Sequence, residues 1–295
     1  MDLAVTAVEI EAILPGETEV TAIDRSKVQM ARAGSGTFNP PKEYEMSQNT
    51  FNFLVAAQSF AGIVALVTLF FMSAPYGKHS RPGWGPQINS KTAWILMETP
   101  AVLAPAAIFF ISGNRSAGAI FALCLWEMHY LYRSYVFSSL QRGSKPSFPV
   151  LLAAMALLFN INNGVIIGQD LFVRGKADLI DLFDVGRSLG VALFLGGFAL
   201  HVVSDAIIRS LRGDGETGYK IPRGGMFRLV SNPNYLGEIV EWIGFALMTR
   251  SIAAWAFAFF TFCNVFPRAV SNHLWYHEHF PDYPAERKVI VPFIF

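Results

Sequence analysis

Chemistry in this chain has to come from a few polar residues set in apolar surroundings. In GGMFRLVSNPNYLGEIVEWIGFALM, Gly224 to Met248, a glycine- and proline-punctuated loop runs straight into an apolar segment. There Asn234, Glu238 and Glu241 recur at i, i+4 and i+7, one polar stripe on a helix. In a membrane that stripe must face protein or a cavity, because uncompensated charge in lipid is costly. AWILMETPAVLAPAAIFFI holds Glu98 beside Pro100 and Pro105. Proline removes a backbone donor and tends to kink a helix, and a carboxyl kept neutral in an apolar cavity can donate a hydrogen bond. A glutamate reaching headgroup water is the other reading.

The stretch AIFALCLWEMHYLYRSYVF is the most polar of the apolar segments. Trp126, Tyr130, Arg133 and Phe137 follow 4, 3, 4 spacing, so the tyrosine and arginine share a face. A guanidinium there suits a phosphate or a carboxylate; an arginine snorkelling to headgroups is the alternative. His129 alone reads as packing. Asn160, Asn162, Asn163 and Gly164 cluster in another segment, where amides either bond neighbouring helices or line a pocket. His201 and Asp205 stand one turn apart, followed by Arg209 and Arg212, and the same spacing also fits a solvated helix end.

Positioning these residues requires a membrane scaffold. Of 295 residues 53% are apolar and only 15% charged, with a mean hydropathy of +0.37, which points to an all-α, multi-pass membrane protein. Seven apolar segments are expected to form a seven-transmembrane-helix bundle: Phe51 to Met72, Ala93 to Ile111, Ala117 to Phe137, Phe148 to Ile167, Val185 to Val203, Tyr235 to Met248 and Ile252 to Val270. The sixth is short, so it and the seventh form a tight hairpin around Thr249, Arg250 and Ser251. Residues 1–46 are polar, acidic at the start and without the pattern of a secretory signal, and read as a flexible extension to a membrane domain over 47–295.

Loop charge sets the orientation. The loops at 73–92, 138–147 and 204–234 share a side with the C-terminal tail and together carry 12 Lys and Arg, against 8 on the other side, four of them in the extension. The N-terminus is therefore expected outside or lumenal and the C-terminus cytosolic. A net charge of +1 without a basic block argues against a nucleic-acid partner. Cys124 and Cys263 lie in apolar runs and read as packing.

Two motif matches are set aside. Gly213, Gly215 and Gly218 spell GxGxxG but follow a charged helical segment, not a strand, and Asp214 and Glu216 would repel a pyrophosphate. His277, Glu278 and His279 lack metal-ligand spacing, so no metal is expected.

Several motifs together, GGMFRLVSNPNYLGEIVEWIGFAL, the tail DYPAERKVIVPFIF, YGKH at Tyr76 to His79, and LRGDGETGYKIPRGG, resemble the steroid 5-alpha-reductases (3-oxo-5-alpha-steroid 4-dehydrogenases) over roughly Tyr76 to Phe295. The resemblance implies a seven-helix membrane enzyme using NADPH to reduce the C4–C5 double bond of a 3-oxo-4-ene steroid. It implies that Glu98 and Tyr130 are catalytic and hold the 3-oxo group. Trp94 joins them in the expected substrate-binding set. Arg133, Asp205, Arg212, Asn234, Glu238, Asn272 and Tyr276 are the implied cofactor-binding residues. Two positions depart from the mammalian pattern: Met97 stands where a glutamine precedes the glutamate, and Ser271, Asn272 and His273 replace three histidines.

The chemistry fits these residue types independently, since two preorganised donors aimed at a carbonyl oxygen stabilise the enolate that hydride addition creates. Glu241 reads as structural. A monomer in a bacterial inner membrane or the endoplasmic reticulum is expected. The alternative substrate is another conjugated lipid, a polyprenol or polyprenal or an enoyl thioester. Isoprenylcysteine methyltransferases have a comparable loop and helix but Arg-His-Pro where this chain has Ser231, Asn232 and Pro233. A transporter is disfavoured because there are no inverted repeats.

Overall fold

The computed structural model describes residues 42–141, 147–213, 216 and 218–295, so most of the 1–46 extension lies outside the described residues, as does Gly215 of the glycine pattern. Seven main helices follow among the described residues. They are α1 (Gln48–Phe71), α2 (Ser90–Ser112), α3 (Ala117–Leu131), α4 (Val150–Gly168), α5 (Val185–Ser210), α6 (Pro233–Thr249) and α7 (Ile252–His279). Five are long and apolar enough to cross a bilayer: α1, α2, α4 with its extension to Val173, α5 and α7. The expected seven crossings are not all matched by length. α3 has only 15 regular residues before a π-helical turn at Tyr132–Phe137, and α6 has 17 with two glutamates among them.

The fold is helical with one small exception to the all-α expectation. Strands β1 (Gln87–Asn89) and β2 (Ser147–Pro149) pair antiparallel with Ile88 opposite Phe148. The ribbon feeds directly into α2 and α4, and Asn89 caps α2 by accepting from the Lys91 amide.

Polarity is inverted relative to a water-soluble protein. Phe53, Phe60, Phe71 and Leu158 are each at least 66% exposed, whereas Gln58, His129, Asn163 and Glu241 are buried. That arrangement suits lipid, where polar side chains must find partners inside the bundle. At its centre Trp126 packs against Trp242, Phe245 and Phe257 at ring-centroid distances of 5.2, 5.6 and 5.6 Å.

Buried amides answer the question left open by the asparagine cluster. Gln58 of α1 donates to Asn163 Oδ1 at 3.0 Å and accepts from Asn162 at 3.1 Å. Asn160 donates to the Met97 carbonyl at 2.6 Å and to Glu98 Oε2 at 3.1 Å. Gly164 lets α4 approach the proline segment of α2, since a Cβ there would stand 2.9 Å from Ala104 Cβ and 3.1 Å from Pro105 Cδ.

Helices α5 and α6 run antiparallel with their backbones almost touching. A Cβ at Gly197 would lie 2.4 Å from the Glu241 nitrogen, and one at Gly244 2.4 Å from the Phe194 nitrogen. Gly190 and Gly237 are equally tight, with backbone 2.6 Å away in each case. Small residues that let helix backbones meet are a recurring membrane device. Arg187 closes the far end of the pair by donating to the Met248 carbonyl at 2.7 Å. The α6–α7 hairpin turns at Arg250, whose φ of +52° is left-handed and whose guanidinium meets Asp184 at 2.8 Å.

Candidate active site

The close α5–α6 packing brings buried ionisable groups into line. Glu241 Oε1 lies 2.7 Å from His129 Nδ1, and Glu241 Oε2 lies 3.5 Å from His201 Nδ1. His201 Nε2 is 3.2 Å from Asp205 Oδ2, Asp205 Oδ1 accepts from Asn234 at 3.4 Å, and Arg133 Nη1 stands 3.9 Å from Asp205 Oδ2. His129 is thus a hydrogen-bonding residue and not mere packing. His201 and Asp205 are buried, which replaces the solvated-helix-end alternative. Glu241 is fully enclosed and holds helices together, in keeping with a structural part.

Arg133 does not snorkel. Its guanidinium packs over the Trp94 ring at 4.3 Å and the Phe137 ring at 4.7 Å, with its charge turned toward Asp205. Of the 4, 3, 4 face, Trp126 and Tyr130 pack together at 4.8 Å before the π-helical turn, and Arg133 and Phe137 pack together within it. Glu98 sits one turn beyond Trp94 and is held by Asn160, which excludes the headgroup alternative. Glu98, Arg133 and Glu238 lie within Coulombic range of one another, and Tyr130 within range of Glu98 and Glu238. Glu238 makes no hydrogen bond or ion pair among the described contacts.

The expected set therefore divides in two. Trp94, Glu98, Tyr130, Arg133, Glu238 and Asp205 gather inside the bundle. Arg212, Asn234, Asn272 and Tyr276 line a cavity of about 180 Å³ at the end of α5 and α7. Asn234 belongs to both groups through its bond to Asp205. A second cavity of about 190 Å³ adjoins the first and shares Lys78, Tyr219, Tyr235 and Asn272 with it. α7 continues to His279 and turns Arg268, Asn272 and Tyr276, four residues apart, toward these cavities.

Sequence reasoning missed Lys78, Tyr219, Tyr235 and Arg268 as lining residues. Lys78 Nζ sits 4.1 Å above the Tyr276 ring, and the Arg212 guanidinium 4.3 Å above the Tyr219 ring. Burial, with the Arg212 charge nearby, brings the Lys78 ammonium down to about 7. His79 is held below its ordinary range, first by burial, and contacts Asn272 at 3.2 Å. Lys78, Tyr219 and Tyr235 each lie inside one of the quoted motifs, YGKH, LRGDGETGYKIPRGG and GGMFRLVSNPNYLGEIVEWIGFAL, whereas Arg268 lies in none.

The loop and tail that close this end are tied to each other. Ser231 donates its amide to the Lys288 carbonyl at 2.8 Å, Lys288 donates to the Leu229 carbonyl at 2.9 Å, and Arg287 reaches the Pro222 carbonyl at 3.2 Å. Asn232 anchors the loop on α7 and the tail through Ala269 and Val289, each at 3.0 Å, and accepts from Asn272 at 3.1 Å.

The sequence was compared with those of known proteins. The profile described as 3-oxo-5-alpha-steroid 4-dehydrogenase covers residues 146–295. The chain is 41% identical over 241 residues to bovine 3-oxo-5-alpha-steroid 4-dehydrogenase 1, covering 79% of this chain and 92% of the relative. It is 38% identical over 257 residues to steroid 5-alpha-reductase DET2 of Gossypium hirsutum, covering 84% and 98%, and 39% identical over 225 residues to human 3-oxo-5-alpha-steroid 4-dehydrogenase 1, covering 75% and 86%. With likeness of that extent, the chain belongs to the 3-oxo-5-alpha-steroid 4-dehydrogenase family, a family of oxidoreductases.

Proposed function

We propose that the protein reduces the C4–C5 double bond of 3-oxo-4-ene steroids to 5-alpha-reduced steroids with NADPH. One observation carries the cofactor reading. Among the described residues the two adjoining cavities are lined by Lys78, Arg212, Lys220 and Arg268 without a single carboxylate, and Arg268 Nε is buried without a partner. A cation-lined cleft with aromatic faces from Tyr219, Tyr235 and Tyr276 suits a phosphate-bearing dinucleotide. Asn272 lines both cavities, and Asn234, which lines the first, is linked by side-chain contacts through Asp205 to Arg133 and Trp94 at the buried end of the site.

The bound nicotinamide would supply hydride to the alkene carbon remote from the carbonyl. What this chain does is hold the oxygen on which negative charge grows. Tyr130 offers a hydroxyl donor. Glu98 receives the Asn160 amide on Oε2, which leaves Oε1 to carry a proton and donate it as a hydrogen bond to the 3-oxo group. The apolar wall of Trp126, Trp242 and Phe257 around Tyr130 excludes water and strengthens both bonds.

All seven helices are read as spans, with the N-terminus outside or lumenal and the C-terminus cytosolic, in a monomer with residues 1–46 as an N-terminal extension to a membrane domain over 47–295. Product analysis with a panel of steroid enone, polyprenal and enoyl thioester tests the reaction. Exclusive turnover of the polyprenal or thioester would move the substrate to another lipid class, and failure to oxidise NADPH with any 3-oxo-4-ene steroid would remove the steroid reading.

A further inference from the structure

The buried run from His129 to Asp205 has no part in the chemistry just described, yet it spans both ends of the site. On α3, His129 is the residue next to Tyr130. On α5, Asp205 meets Asn234 and Arg133, the deep end of the cleft. Glu241 and His201 link them, contributed by the two helices whose backbones touch at Gly197 and Gly237.

We propose that His201 and Glu241 are positioning residues that couple occupancy of the cofactor cleft to the placement of Tyr130. The inference rests on the reading of the cleft as a nicotinamide site and of Tyr130 as a substrate contact. Its physical basis is the uneven tightness of the run. The His129–Glu241 link is a firm 2.7 Å hydrogen bond, whereas Glu241–His201, Asp205–Asn234 and Asp205–Arg133 stand at 3.5, 3.4 and 3.9 Å. Correspondingly, His201 Nδ1, Glu241 Oε2 and Asp205 Oδ2 are buried without a well-formed hydrogen bond. Unpaired buried polar atoms are costly, so there is a gain available from shortening these contacts together. A ligand that draws Arg133 or Asn234 re-aims Asp205. His201 then follows Asp205, Glu241 follows His201, and the firm bond carries the shift to His129 and its neighbour Tyr130. Tyr132 and Arg133, in the π-helical turn after α3, and Glu238 of α6 also lie near this run.

A metal is the competing account, because donor atoms of His129, His201 and Glu241 lie within 4.8 Å of one another. The 2.7 Å separation of His129 Nδ1 and Glu241 Oε1 argues for a shared proton, since two ligands of a tetrahedral zinc would stand roughly 3.3 Å apart.

The test is a linkage measurement on the full chain in detergent. Affinity for NADP⁺, which cannot donate hydride, is measured by tryptophan fluorescence with and without saturating steroid enone. Wild type is expected to bind NADP⁺ about fivefold or more tightly with steroid present, and His201→Gln and Glu241→Gln to reduce that factor to within about twofold of unity. Each variant should retain NADP⁺ affinity within about threefold, which a general loss of structure would not permit. If either variant fails to fold, His129→Gln breaks the same run at its other end and should show the same loss. Persistence of wild-type coupling in the folded variants overturns the inference, as does absence of coupling in a wild type that binds both ligands. One equivalent of tightly bound metal also overturns it. A wild type that binds no steroid instead overturns the functional reading on which the inference rests.

Discussion

The indole nitrogen of Trp126 donates to the carbonyl of Ala101 at 2.7 Å. That carbonyl is free because Pro105, four residues on, has no N–H to offer it. A tryptophan on α3 therefore supplies the backbone hydrogen bond that a proline on α2 removes, and it does so where no water is available to take its place. Trp126→Phe is expected to lower stability by about 1–3 kcal/mol. The loss should shrink in a Pro105→Ala background, where the backbone amide restored by the substitution can meet the carbonyl. Thermal unfolding of the four proteins in detergent checks the cycle, and equal losses in both backgrounds would rule out this pairing.

The glycine contacts between α5 and α6 give a comparison with its own control. Gly197→Ala places a methyl group 2.4 Å from the Glu241 nitrogen, while Gly196→Ala on the same helix meets nothing within 4 Å. The first should destabilise by about 1–3 kcal/mol or more, through forced separation of the helices. The second should be neutral, or slightly stabilising from better helix propensity. Similar melting temperatures for the two variants would be inconsistent with backbone contact at Gly197.

Turnover and cofactor binding should separate. Glu98→Gln and Tyr130→Phe are expected to lower kcat by about 10²–10³-fold with enone steroid, the usual size for loss of a donor to a developing oxyanion. NADPH affinity should change little, because neither residue lines the outer cavities. Equal loss of cofactor affinity would move both residues to the cofactor site.

The outer cleft should respond to pH through Lys78. With its ammonium held near 7 by burial and by Arg212, the cationic form is lost as pH rises through about 7. Phosphate groups favour the ammonium, so NADPH should bind best below pH 7. Above it, affinity should fall by up to about tenfold per pH unit until the pKa of the complex is reached. Lys78→Met should bind more weakly and lose most of this dependence, and Arg212→Ala should weaken binding through loss of a phosphate contact. A flat wild-type profile from pH 6 to 9 would remove Lys78 from the phosphate contacts.

The helices were legible because apolar runs of bilayer length announce themselves, and boundaries such as Phe51 to Met72 against Gln48–Phe71 differ by only a few residues. Hydropathy stopped the last helix at Val270, whereas α7 runs on to His279. Beyond Val270 it is held by Asn232 and the aromatic tail around Tyr283, not by an apolar environment. Glu98, Tyr130 and Arg133 were legible as polar intrusions into greasy segments. His129 was not, because its partner Glu241 lies 112 residues away and no local pattern reports such a pair. The glycines at 190, 197, 237 and 244 recur every seven residues on two helices, a signal present in the sequence but meaningful only once α5 and α6 are known to be neighbours.

The tie between the 222–231 loop and the tail has a bearing on how the protein is made. Both sides of that clasp come late in the sequence, the loop after α5 and Arg287 and Lys288 after α7. All seven helices are synthesised before the ribosome has produced the partners of Leu229, Ser231 and Pro222. The clasp beside the cleft over Lys78 and Arg212 therefore closes only after all seven helices have been made. A nascent chain interrupted shortly before Arg287 would carry all seven helices yet lack the clasp, leaving the 222–231 loop without these partners and open to quality-control proteolysis.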